Sequence, residues 1–353
     1  MLIFEILDEM LNFGYCFVSS YNEIKQNLTF EPIRPKIPQQ DDLALRFFGI
    51  NVMDGSRVTT GPSEPKNKAP NSAYINIVEG LSAVFDASGE LRSSELWGKL
   101  TLISTLLVPA PITIELNSDL VVRTSGLPEG QVAGATHIEN PSFHSCVDSS
   151  QLNRKKVLRV LPPPDQTRLM VYTLSDSACI HIPLLVIPSL LAIDGSRDQN
   201  FSLRLKNQAE SHTTASYVRV KIKLPACVSS ISTTKSGERQ SSQYHSTEKI
   251  AEWEIKKSPG GTEEKITFRL INNTDRAINL ADIGPISVAF NITNFSASGL
   301  VVRMARVEGQ AEPMSQTPEC YFGVSTKSAS YTVRTDLTRT VTSPASSLAS
   351  FTT

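Results

Sequence analysis

Apolar and polar residues alternate with a period of two through most of the chain after residue 70. In "YVRVKIKLP", Val218, Val220, Ile222 and Leu224 fall on one side and Arg219, Lys221 and Lys223 on the other. "FSLRLK" alternates Phe201, Leu203 and Leu205; "EWEIKK" turns on Trp253 and Ile255; "KITFRL" on Ile266, Phe268 and Leu270; "ISVAFNI" on Ile286, Val288, Phe290 and Ile292. Half-buried alternation of this kind predicts antiparallel strands packed as a β-sandwich. "NSAYINIVEGLSAVFDASGEL", residues 71–91, predicts a hairpin that turns at Asp86-Ala87-Ser88-Gly89, with the amide of Asn76 set between Ile75 and Ile77. No strand–helix–strand rhythm appears, which argues against a doubly wound sheet.

The first residues follow a different period. Ile3, Leu7, Met10 and Leu11 form one stripe, with Glu5, Asp8, Glu9 and Asn12 outside it and Gly14 as a stop, so a helix is expected over residues 2–13 and a second short one over 19–30. A helix of about three turns is marginal alone in water and needs something to pack on. Because the chain begins almost inside it, a larger N-terminal unit is expected to be missing. Residues 31–70, punctuated by Pro32, Pro35, Pro38, Pro62, Pro65 and Pro70, read as a flexible linker. Residues 71–335 hold the strands, and the Ser/Thr-rich tail 336–353 reads as disordered.

Composition narrows the function classes. The 353 residues are 40% hydrophobic and 20% charged, with a formal charge of -1, so no global attraction to nucleic acid follows. The five cysteines, Cys16, Cys146, Cys179, Cys227 and Cys320, are dispersed and form no C-x-x-C pair, which signals neither zinc nor a redox dithiol and fits reduced thiols in the cytosol. Acidic residues interrupt the apolar N-terminus, so it is not a secretory signal, and a soluble, cytoplasmic chain is expected. The search for catalytic chemistry finds no H-E-x-x-H, no Walker A, no G-x-S-x-G and no dinucleotide fingerprint. His144 and Cys146 in "SFHSCV" lack the third group that orients a catalytic pair, and a core or hairpin role is expected for them. No catalytic residue, metal ligand or cofactor is assigned, and the chain is not expected to be an enzyme. The basic run Arg154, Lys155, Lys156 and Arg159 reads either as a solvated hairpin turn or as a contact for acidic lipid headgroups.

Several stretches in order resemble one family. "FEILDEMLNFGY" is similar to the last long helix of the longin-like domain in medium (mu) subunits of adaptor-protein complexes. "NSAYINIVEGLSAVFDASGELRSSELWGKL", "ENPSFHSCVDSSQLNRKKVLRVLPPPD", "LMVYTL", "FSASGLVVRMARV" and "STKSASYTVRT" resemble successive strands of the mu homology domain. Within the family, "NSAYINIVE" and the ending "VRT" look most like the medium subunit of the third adaptor complex. The resemblance implies an all-β fold, an elongated pair of immunoglobulin-like β-sandwich subdomains over residues 71–335, preceded by the helical remnant of a truncated longin-like domain at 1–30. It implies a heterotetramer with large and small adaptor chains, and a place on the cytoplasmic surface of Golgi, endosomal or vesicle membranes.

The resemblance also implies selection of membrane-protein cargo by Tyr-x-x-Φ motifs, with Φ a bulky apolar residue, bound as an added edge strand. The family's tyrosine pocket carries over onto Tyr74, Asn76 in place of an acid, Thr113 in place of a lysine, Tyr321 in place of a tryptophan, and Gly323 in place of an arginine. Tyr74 and Tyr321 are expected to sandwich the cargo ring. The Φ pocket carries over onto Ile75, Val302 and Ala305, with Phe322 beside Tyr321. The alternatives are another carrier of the domain, coatomer delta-like or stonin-like, and a structural module with a degenerate pocket.

Overall fold

The chain is described by a computed structural model over residues 11–12, 15–16, 71–123, 134–163, 166–235, 237, 239–308 and 318–336. It divides into two units, Met1–Arg57 and Val58–Thr353. In the first, strand β1 (Leu11–Asn12) pairs antiparallel with β2 (Tyr15–Cys16). Leu11 and Asn12 therefore lie in a two-residue ladder rather than at the end of the helix expected over 2–13. A three-turn helix without a packing partner has little to hold its last turn against such a pairing. The rest of that helix, the helix over 19–30, the linker and the tail lie outside the described residues.

The second unit is almost wholly β. Its strands are β3 (Ser72–Asp86), β4 (Leu91–Ser104), β5 (Ile112–Leu116), β6 (Val121–Arg123), β7 (His137–Phe143), β8 (Val147–Asp148), β9 (Val157–Val160), β10 (Thr167–Leu174) and β11 (Leu184–Ala192). They continue as β12 (Gln199–Asn207), β13 (Thr214–Lys223), β14 (Val228–Lys235), β15 (Gln240–His245), β16 (Ile250–Pro259), β17 (Glu263–Asn272), β18 (Ile286–Thr293), β19 (Val302–Val307) and β20 (Glu319–Arg334). A single-turn helix, α1 (Leu152–Lys155), precedes β9. Among the described residues no helix is long and apolar enough to cross a membrane.

One ten-stranded sheet runs β15-β16-β13-β18-β20-β3-β4-β10-β7-β6, and two four-stranded sheets, β19-β5-β9-β8 and β11-β12-β17-β14, complete the sandwiches. The two sandwiches share one sheet and one continuous core that includes Ile77, Leu100, Ile114, Leu203, Trp253, Phe268 and Tyr331. Each alternation seen in the sequence is a strand here: the inward Val218, Val220 and Ile222 of β13 are fully buried, and Trp253 of β16 with them. The first hairpin turns where expected. Asp86 ends β3, the Gly89 N–H donates to the Asp86 carbonyl, and Gly89 has φ of 86°, a left-handed conformation that glycine adopts without strain. Gly98 on β4 has a different reason: a Cβ there would lie 2.0 Å from the Tyr172 ring, so its absence lets that ring cross the strand. The "SFHSCV" segment departs from the pattern: β7 ends at Phe143, and His144 to Cys146 form the turn into β8, with the His144 Nδ1 3.1 Å from the Cys146 Sγ.

Candidate functional site

The longest pairing joins the ends of the domain. β3 and β20 run parallel from Ser72↔Glu319 to Asp86↔Arg334. On its other side β20 pairs with β18 only between Ser325 and Val333. The segment Glu319–Val324 thus has β3 on one side and no strand on the other among the described residues. The phase of the ladder is fixed at both ends. The Glu319 N–H donates to the Asn71 carbonyl on the β3 side, and the Asn294 N–H donates to the Val324 carbonyl on the far side. By alternation, the backbone groups of Cys320 and Phe322 point away from β3, to the open edge. An unpaired row of N–H and C=O groups is a template for an added strand.

Side chains flank this edge on both faces of the sheet. On the outer face Tyr74 and Tyr321 stand in register and their rings stack on each other, centroids 5.1 Å apart and 13° from parallel. They do not form the slot expected from the sequence. A third ring between them would require roughly twice the ~3.5–4 Å of a single stacking contact, and their in-register placement on neighbouring strands drives them together instead. The Tyr321 hydroxyl donates to the Glu319 carboxylate, which raises the phenol pKa. Asn76 stands in register with Gly323, half-buried, so no side chain comes from that neighbour, and its carbonyl accepts from the Thr101 hydroxyl at 3.1 Å. Its strand, β3, lies between β20 and β4; the edge belongs to β20.

On the inner face Ile75 is fully buried while its register mate Phe322 is 48% exposed at the rim. β19 touches β20 and carries Val302, buried opposite Leu116, and Ala305, half-buried opposite Ile114. Met304, also exposed, sits beside Ala305 on β19 and pairs with Glu115. The structure thus brings Tyr74, Asn76 and Tyr321 to one face of the edge and Ile75 and Phe322 to the other, while Val302 and Ala305 lie on β19, a strand of the facing sheet that touches β20.

Thr113 is elsewhere. It lies on β5 between Arg306 and Arg159, and its hydroxyl donates to the Glu308 carboxylate. The Arg159 Nε donates to the same carboxylate at 2.8 Å. The Thr113 hydrogen bond first, and then Arg159, hold the Glu308 carboxyl below its usual range. Thr113 is therefore taken up by an ion-paired cluster on the four-stranded sheet, because the strand parity that buries Ile112 and Ile114 turns it outward. Of the basic run, Arg159 is engaged by Glu308, and the Lys156 Nζ donates to the Asn153 carbonyl at 2.9 Å from a left-handed cap at φ 59°. Arg154 and Lys155 are exposed on α1.

One residue at the site was not anticipated. Glu79 is fully buried in β3 and accepts only from neutral donors. Its Oε1 takes the Tyr172 hydroxyl at 2.8 Å, the Ser298 hydroxyl at 2.5 Å and the Ser296 hydroxyl at 3.2 Å. Its Oε2 takes the Ala297 N–H at 2.6 Å and the Thr326 hydroxyl at 2.9 Å. Burial first, then the neighbouring Glu79, drives the Tyr172 phenol pKa well above its ordinary value. The signal was present in the parity: Ile75, Ile77, Glu79 and Leu81 occupy one side of the strand, so an acid on the core side had to be matched by donors.

Residues 59–335 match the family described as "Adaptor complexes medium subunit family". The AP-4 complex subunit mu of Arabidopsis thaliana is 23% identical over 346 residues, covering 95% of this chain and 76% of that protein. The AP-4 complex subunit mu-1 of Homo sapiens is 26% identical over 333 residues, covering 88% of this chain and 73% of that protein. Among solved structures, the yeast delta-COP-I mu-homology domain is similar with a TM-score of 0.56 at 15% identity, covering 76% of this chain and 100% of that one. At that identity the likeness speaks for the fold alone.

Proposed function

The chain belongs to the adaptor complexes medium subunit family, and from that premise we propose that it selects membrane-protein cargo by adding a Tyr-x-x-Φ tail segment as a strand to the open edge Glu319–Val324. One observation carries the reading: the backbone edge, which has no strand partner on that side among the described residues, has polar aromatic chemistry on one face and apolar chemistry on the other. Residues i and i+3 of an extended peptide point to opposite faces. A Tyr-x-x-Φ segment on this edge sends its tyrosine to the face of Tyr321, Gly323 and Asn76, and Φ to the face of Phe322, Val302 and Ala305. Since Tyr74 and Tyr321 stack on each other, the cargo ring lies over the glycine gap at Gly323 with its hydroxyl toward the Asn76 amide. Backbone hydrogen bonds from Cys320 and Phe322 hold the strand. The protein does no chemistry in this reading; it is a non-enzymatic coat subunit acting with large and small adaptor chains, peripheral on Golgi, endosomal or vesicle membranes. Arg154, Lys155 and Lys156, with Arg159 partly engaged, are its candidate contacts with acidic lipid.

"NSAYINIVE" and "VRT" carry our assignment to the third adaptor complex. The AP-4 relatives are the competing assignment, and the set of large chains that co-purifies with the full chain separates the two. The self-stacked tyrosines and the neutral Asn76 favour a second reading, a structural adaptor subunit whose peptide pocket has decayed. Calorimetric titration of the chain with a Tyr-x-x-Φ peptide and its Tyr→Ala partner decides. Micromolar affinity, about -8 kcal/mol, lost with alanine supports cargo selection; binding of neither peptide selects the structural reading.

A further inference from the structure

We infer that Glu79 is a positioning residue for the peptide groove: one buried carboxylate that fastens both walls of the groove to the same point of the core. The inference rests on the cargo reading above. The first wall is the edge segment of β20. Thr326, two residues beyond Val324, donates to the Glu79 Oε2 at 2.9 Å, so the bond anchors β20 where its paired part gives way to its open part. The second wall is β19, which begins at Val302. The connection into it, Asn294 to Val301, is a loop with Ala297, Ser298 and Leu300 buried. A buried loop must have its N–H groups matched. Glu79 matches them: it accepts the Ala297 N–H at 2.6 Å and the Ser298 hydroxyl at 2.5 Å, and the Ser298 Oγ in turn accepts the Leu300 N–H at 3.1 Å. Asn117 closes the same loop from below, its Oδ1 accepting the Val301 N–H at 2.7 Å and its Nδ2 donating to the Gly299 carbonyl at 3.1 Å. Tyr172, crossing β4 at Gly98, holds the carboxylate from the third side at 2.8 Å.

The arrangement ties the β19 start and the β20 edge to one anion. The gap between Val302 or Ala305 and Phe322, which receives Φ, is set by bonds to two oxygens of one side chain rather than by two independent loops. Glutamine keeps the volume and can hold its Oε1 on the Ala297 N–H, but its Nε2 then faces the Tyr172, Ser298 and Ser296 hydroxyls, which lose their common acceptor and must turn to accept. The amide oxygen left to Ala297 and Thr326 is a weaker acceptor than a carboxylate oxygen. Glu79→Gln should therefore loosen both walls, as should Thr326→Val, because the Thr326 Oγ1 also lies 2.9 Å from the Phe295 carbonyl and accepts the Ala297 N–H at 3.2 Å, whereas Ser298→Ala should loosen the β19 wall alone.

The test combines peptide titration with hydrogen exchange on the full chain. Glu79→Gln is expected to weaken a Tyr-x-x-Φ peptide at least tenfold. It should speed exchange of the Tyr321 and Gly323 amides, which face β3, and of residues 302–307, while β12 and β17 in the other sandwich keep their protection. Thr326→Val should accelerate both groups and Ser298→Ala only the second. Peptide affinity within twofold of the parent, or acceleration spread evenly over both sandwiches, overturns the inference, because a merely structural buried acid destabilises without that pattern. If the parent chain binds no peptide, the cargo reading fails, and the split exchange pattern alone then decides whether Glu79 sets the two walls.

Discussion

At the scale of the residue, Asn76 and Asp86 show how one carboxylate more or less shifts the behaviour of the first strand. Asn76 stands beside the gap at Gly323, where, under the proposed cargo reading, it offers the tyrosine hydroxyl a neutral acceptor. A charged acceptor makes a stronger hydrogen bond. Asn76→Asp is expected to tighten a Tyr-x-x-Φ peptide by about 1 kcal/mol, roughly fivefold; calorimetry showing equal affinity would remove Asn76 from the tyrosine site. Asp86, almost fully buried at the first turn, works in the opposite sense, as a structural anion. Burial raises its pKa, but the Ser88 hydroxyl and N–H, the Glu90 N–H and Arg92 outweigh it and lower the pKa to about 2. The folded value lies below the unfolded one, so its stabilisation is present above about pH 4 and is lost as pH falls through 2. Arg92 is partly exposed, which leaves about 1–2 kcal/mol at neutral pH. Urea midpoints of the parent and Asp86→Asn should differ at pH 6 and converge near pH 2; a constant gap would count against the linkage.

The relevant element is the edge of β20, whose value lies in alternation. Cys320 and Phe322 aim their backbone groups outward, while the Glu319 N–H is engaged by the Asn71 carbonyl just before β3. A peptide added there also alternates, half of its N–H groups facing β20 and half facing solvent. N-methylation at successive peptide positions should therefore weaken binding at every second position, by about tenfold or more, and spare the positions between. Uniform tolerance in the titrations would mean that the peptide does not bind as a strand. This level also separates what was legible from what was not. Strand positions, the Asp86–Gly89 turn and the buried faces follow from local alternation, which a single strand displays by itself. The pairing of β3 with β20 does not, since Glu79 and Thr326 meet across 247 positions. That pairing decides that the edge belongs to β20, that Tyr321 collapses onto Tyr74, and that Asn76 is interior. Thr113, carried over from the family's lysine position, bonds Glu308 on β5 of a four-stranded sheet; which sheet a strand joins is set by tertiary pairing.

For the whole molecule, the near-neutral net charge of -1 makes any attraction to an acidic membrane a matter of local geometry. The basic run that looked uniform in sequence is divided by the fold. Arg159 is bound to Glu308 with its Nη2 2.6 Å from the carboxylate, and Lys156 is drawn to the Asn153 carbonyl. Arg154 and Lys155 stand exposed on α1. Each charge near an anionic surface contributes about 1 kcal/mol, so Arg154→Ala/Lys155→Ala should lower partitioning of the full chain onto phosphatidylserine vesicles by roughly 10–30-fold. Arg159→Ala, whose charge is already compensated, should change it by less than about twofold on the same physical grounds. Added salt should erase the difference between parent and double variant, because exposed charges are screened beyond about 8 Å at physiological ionic strength. Equal sedimentation of parent and double variant with the vesicles at low salt would leave α1 a solvated turn and remove it as the contact with acidic lipid.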